Sequence, residues 1–139
     1  MAARPATRPP SAEALALYQR VQQHLDTPGA LPPKWTPATR PMRGLAIPMI
    51  MTVTAQILRQ ALPDPAFCNA AIDRYIGEIR RYHMHPSCRP CWKRSAPNGE
   101  FLDHFDGRTL NPGHAIEAPG SSCRRRDCAA TTPRCYRPA

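Results

Sequence analysis

The sequence predicts an all-α chain made of consecutive αα-hairpins. Three observations carry that prediction. Apolar residues recur at or near helical spacing in two stretches, and a third between them is apolar nearly all round. The stretches are joined by short segments rich in proline and glycine, which stop one helix and start the next. Eighteen prolines in 139 residues also exclude one uninterrupted helical bundle. The length suits a single compact domain.

The first helix is expected over Ser11 to Leu25. Leu15, Leu17, Tyr18, Val21 and Leu25 lie near helical spacing, and Thr27-Pro28-Gly29 ends the pattern. Leu31 to Pro41 follows as a proline-punctuated loop holding Trp35, read as a packing residue. Gly44 to Leu62, GLAIPMIMTVTAQILRQAL, is apolar nearly all round, as in a helix buried on most sides. Pro48 belongs to its first turns, where a missing N–H costs little. In Pro63-Asp64-Pro65, Asp64 can act as N-cap and Pro65 as the first helical residue. The next helix runs to about Tyr82, with Phe67, Ile72, Tyr75, Ile76 and Ile79 apolar. Two helices joined by so short a turn form an antiparallel αα-hairpin.

The formal charge of +9 points at face value to a polyanionic partner, and six cysteines to a metal site or disulfides. Both features are unevenly placed. Residues 119–139 carry five arginines against one acid, Asp127. Residues 87–95 carry Arg89, Lys93 and Arg94 with no acid. The rest of the chain has a net charge of only +2, and Cys68 is the one cysteine outside the two stretches. Neither stretch has apolar periodicity. No apolar run approaches the roughly eighteen residues of a membrane span. MAARPATRPP lacks the apolar core of a secretory signal, so a cytoplasmic protein is expected.

Residues 97–118, PNGEFLDHFDGRTLNPGHAIEA, hold the chemistry. Asn98-Gly99 and Asp106-Gly107 are turn dipeptides, and the stretch between them suits a small hairpin. Asn111-Pro112-Gly113-His114 reads as a helix start, with Asn111 as N-cap, Pro112 at N1 and His114 at N3. Glu117 follows one turn later on the same face. A helix N-terminus disfavours imidazolium, whereas a nearby carboxylate favours it. A histidine between those influences can take and return a proton near neutral pH. An isolated His-x-x-Glu would more simply be a capped helix start beside a solvated acid.

The wider string adds to that reading. GLAIPMI, then an αα-hairpin, then GRTLNPGHAIEA resembles the N-acylglucosamine 2-epimerase family of sugar epimerases and isomerases. The resemblance spans residues 11–86 and 96–118, and the NPGHxxE string is its most specific part. It implies an (α/α)6 barrel, present here as a fragment over 11–118, with the active site at one end. It implies inversion at C2 of an open-chain sugar through removal and return of the proton beside the carbonyl, with no cofactor. His114 matches the family's first histidine acid/base and Glu117 its active-site glutamate. The implied substrate is an amino sugar, disaccharide or hexose, with neither nucleic acid nor membrane as partner. The family's second catalytic histidine and its catalytic arginine match no position here. The chain as written is therefore expected to be inactive.

The two unusual stretches have a common genetic explanation. Where the family continues its motif helix with a second alanine and an aromatic pair, this chain reads Pro119-Gly120-Ser121-Ser122-Cys123-Arg124. Permitted codons for Ala118 to Arg124, read from the third base of the first codon, give AWFILQ. Permitted codons for Pro86 to Ser95, read in the same way, give ELPALLETV, which has leucines at helical spacing. Residues 87–95 and 119–139 are accordingly expected to be out of frame, the latter as an irregular tail.

Two rivals compete with this reading. A zinc- and nucleic-acid-binding module would use Cys88-x2-Cys91 and Cys123-x4-Cys128, with the basic tail on phosphates. The second spacing is loose for such a site. A disulfide-rich secreted protein would need the missing signal. The remaining residues have plain structural readings. His83 and His85 would end a helix through its last carbonyls, and His104 would face solvent. Arg80-Arg81 would be a solvated helix end and Cys68 a small buried hydrophobe.

Overall fold

A computed structural model of the chain describes residues 10–36, 38–84, 91–114 and 116–118. It is predominantly helical, with one small two-stranded sheet. Helix α1 spans Pro10–Asp26. Proline stands at its first position, where no N–H is needed. Its end is closed by Thr27, whose amide and hydroxyl both donate to the Gln23 carbonyl at 3.0 and 2.7 Å. Gly29 then turns the chain at φ +78°, a left-handed conformation that suits glycine.

Helices α2 (Ala46–Ala61) and α3 (Ala66–Tyr82) form the expected αα-hairpin. Pro48 does fall in the first turn of α2. The cap is shifted by one residue from expectation: Pro65, not Asp64, occupies the N-cap position of α3, and Asp64 Oδ1 accepts the Ala66 amide at 2.9 Å from the residue before it. Cys68, Ala71, Ile72, Tyr75, Ile76 and Ile79 form the buried stripe of α3. All but Ile79 pack on Met51, Ala55 and Leu58 of α2, whereas Ile79 packs with Leu45 and Met49 at its start. Cys68 is fully buried, and burial raises its thiol pKa.

The expectation that α2 is buried on most sides holds except along one edge: Pro48, Met49, Met51, Thr52, Ala55, Gln56 and Leu58 are buried. Ile50 and Ile57 are 59 % and 63 % exposed. The described helices cover α2 mainly from the α3 side, so its far edge keeps apolar side chains in solvent. Helix α1 joins the pair through Tyr18, whose hydroxyl donates to the Met51 carbonyl at 3.1 Å. The Tyr18 ring meets Phe67 edge-on at 6.0 Å. At the other end of α1, Asp26 receives both terminal nitrogens of Arg74 from α3. That hydrogen-bonded pairing lowers the Asp26 pKa.

Strand β1 (Arg43–Gly44) pairs antiparallel with β2 (Arg94–Ser95), in register Arg43 with Ser95 and Gly44 with Arg94. Met84 and Cys91 make a further antiparallel bridge. Strand pairing within an all-α expectation comes from contacts distant in sequence, which helical periodicity does not report. The proposed small hairpin between the two turn dipeptides is also corrected. Asn98-Gly99 does turn the chain, with the Ala96 amide donating to the Glu100 carbonyl at 3.0 Å and Gly99 at φ +94°. Asp106-Gly107 instead lies inside a short helix, α4 (Phe105–Arg108). Leu102 backbone packs so closely on Gly107 that a glycine is required there. Residues 85–90 and the tail 119–139 lie outside the described residues.

Candidate functional site

After α4 the chain reaches the NPGH segment, and residues 112–114 and 116–118 are helical. The start of that helix follows from its first four residues. The His114 amide donates to Asn111 Oδ1 at 3.2 Å, the side-chain-to-N3 bond of an N-cap. Pro112 fills the position whose N–H would have no partner. Gly113 is useful for space, since a Cβ there would lie 3.3 Å from the same Asn111 oxygen.

This places the His114 imidazole in the first helical turn, half-buried. Its Nδ1 is buried and has no hydrogen-bond partner among the described residues. Glu117 follows three positions later, exposed at the surface. Ala118, the last described residue of the segment, is 1 % exposed and packs with Leu45, Met49, Ile79 and Cys91. The motif helix is thus anchored where the start of α2 meets the end of α3. An imidazole held there by its own backbone can exchange protons without reorganising the helix that carries it.

His83 departs from its expected role. Its backbone amide does cap α3, donating to the Ile79 carbonyl at 2.9 Å. Its side chain turns inward and is only 2 % exposed. Nδ1 lies 3.0 Å from the Trp92 carbonyl, while the Trp92 amide donates to the His83 carbonyl at 2.8 Å. As a donor to a carbonyl, the ring carries its proton on Nδ1. Burial depresses its pKa to about 4, with the Trp92 carbonyl opposing and Arg43 assisting. A signal for this burial was present in the sequence: His83 extends the stripe of Ile72, Ile76 and Ile79 by four positions. His104 also departs from expectation. It is half-buried, and its Nδ1 is enclosed with no hydrogen-bond partner among the described residues.

Of the four cysteines in the zinc reading, Cys88, Cys123 and Cys128 lie outside the described residues. Cys91 is 2 % exposed in the apolar cluster with Leu45 and Ile79, and burial raises its thiol pKa. That setting disfavours the thiolate that zinc requires. No group of three or more metal-ligating side chains occurs among the described residues. No described helix is long and apolar enough to cross a membrane.

A second polar cluster was not visible in the sequence. The loop before β1 carries Trp35 and Arg40, β2 carries Arg94, and α4 carries Asp106. Arg40 Nη1 lies 3.3 Å from Asp106 Oδ2, and Arg94 Nε 3.9 Å from Oδ1. The Arg94 guanidinium stands 5.6 Å from the Trp35 ring centroid. A Cβ on Gly44 would meet that ring edge at 3.6 Å, so Trp35 packs along the ribbon as well as facing arginine.

Set against known proteins, the chain matches no family model and no curated protein. The functional reading therefore rests on the residues themselves.

Proposed function

We propose that the chain represents part of a cytoplasmic sugar 2-epimerase or isomerase resembling the N-acylglucosamine 2-epimerase family, with His114 as a proton-transfer group. The observation that carries this is the Asn111 cap on the His114 amide, which makes NPGH a helix start and sets the imidazole in its first turn. The α2–α3 hairpin fits an arc of an (α/α)6 barrel. Exposed Ile50, Ile57, Phe105 and Ile116 fit apolar faces that further barrel helices would cover.

Inversion at C2 breaks the C2–H bond and leaves its electron pair shared with the adjacent carbonyl. A proton then returns to the opposite face, so two groups must flank the carbon. His114 supplies one of them, and Glu117 orients or tunes the imidazole. One positioned acid/base contributes about 10²–10⁴-fold, so losing its opposite number removes about that much of the rate. No cofactor takes part in this chemistry.

Resequencing the gene tests the reading directly. Codons 86–95 and 118–124 are expected to read ELPALLETV and AWFILQ from their third bases. Codons that cannot give those strings overturn the frame argument. In the frame-restored enzyme, His114→Ala should abolish C2 proton exchange with deuterated solvent while leaving helical content unchanged. Retained exchange would overturn the role of His114. Robust exchange by the 139-residue chain itself would overturn its description as an inactive part.

A further inference from the structure

We propose that Arg40, Arg94 and Trp35 form a binding site for a tetrahedral oxyanion, which Asp106 closes from within. Three segments far apart in sequence converge here: the loop before β1, strand β2 and helix α4. A guanidinium has five N–H donors in a fork suited to two parallel hydrogen bonds. Asp106 does not satisfy either fork in that way. Its single carboxylate is divided, with Oδ2 at 3.3 Å from Arg40 and Oδ1 at 3.9 Å from Arg94. Two positive groups therefore share one negative group and retain a net positive charge.

A phosphate, with more acceptor oxygens and up to two negative charges, matches this donor set better than a divided carboxylate. Arg94 is 28 % exposed and Asp106 27 %, so the pair is shielded from salt more than Arg40, at 63 %. The Trp35 ring holds the Arg94 guanidinium by cation–π attraction and limits its movement. Arg43 is adjacent in sequence but belongs elsewhere. It pairs with Ser95 in the ribbon, so it projects to the opposite face from Arg94. There it stacks 4.1 Å from the Tyr82 ring centroid and donates Nε to the Pro97 carbonyl at 2.7 Å. The site does not involve His114. Arg94, however, lies in the stretch expected to be out of frame, so the site belongs to the 139-residue chain as written, and codons giving ELPALLETV at 86–95 would remove it.

The test is a titration with inorganic phosphate at constant ionic strength, balanced with chloride. A Trp92→Phe background leaves Trp35 as the only indole, and its emission reports binding. Asp106→Asn should bind phosphate about tenfold more tightly than the parent, the value of one charge-assisted hydrogen bond released to the ligand. Adding Arg40→Gln or Arg94→Gln should remove that gain, whereas adding Arg43→Gln should leave it intact. Arg40 is mostly exposed, so its variant keeps the proposal testable even if changes at Arg94 disturb folding. A hexose 6-phosphate run in parallel separates the ligand sources. Tighter binding than phosphate identifies a phosphomonoester site, and equal binding a site for the free anion. No gain in Asp106→Asn, or an equal loss with Arg43→Gln, would overturn the proposal.

Discussion

Protonation of His83 should unfold the end of the α2–α3 hairpin. The folded ring is neutral, 2 % exposed, and bonded through Nδ1 to the Trp92 carbonyl. Its pKa is about 4 when folded, against 6.5 for an unperturbed histidine. Between those values the unfolded chain binds the proton more readily, so stability falls as the pH is lowered. His83's contribution is complete above pH 6.5 and lost progressively down to pH 4, below which both states are protonated. At about 1.4 kcal/mol per pH unit, the full window is worth about 3 kcal/mol. Urea unfolding followed by tryptophan emission at several pH values measures it. His83→Gln has no ionisable ring and should flatten the slope between pH 6.5 and 4 relative to the parent. The subtraction matters because other groups also titrate there. Parallel curves for the two proteins would refute the assignment of a buried neutral imidazole.

Glycine substitutions provide two opposed outcomes. A Cβ at Gly107 would lie 2.0 Å from the Leu102 carbonyl oxygen, so Gly107→Ala should cost about 3 kcal/mol or more in urea unfolding. Gly77, exposed within α3, has nothing within 4 Å of a new Cβ, and Gly77→Ala should stabilise by about 1 kcal/mol. Asn111→Ala should cost about 1 kcal/mol and speed exchange of the His114 amide about fivefold. Asn111→Asp should keep the protection, because a carboxylate also accepts that bond and suits a helix N-terminus.

What the sequence determined by itself was local. The spacing of Ile72, Ile76 and Ile79 specifies the buried face of α3, because a helix returns to the same face every three or four residues. The side-chain bonds of Asp64 to the Ala66 amide and of the Asn111 cap to the His114 amide are readable because donor and acceptor lie within three positions, although the cap of α3 itself fell on Pro65. Asn98-Gly99 was likewise legible as a turn, since only its own backbone conformation is involved. Asp106-Gly107 was not, because the close approach of Leu102 and a short helix replaced the turn. Tertiary structure decided everything that joins distant segments. It buried His83 against Trp92, paired β1 with β2, exposed Ile50 and Ile57, and brought Arg40, Arg94 and Asp106 together. The physical reason is that backbone periodicity restricts partners only within a turn or two. Which surfaces meet across tens of residues depends on the packing of whole elements.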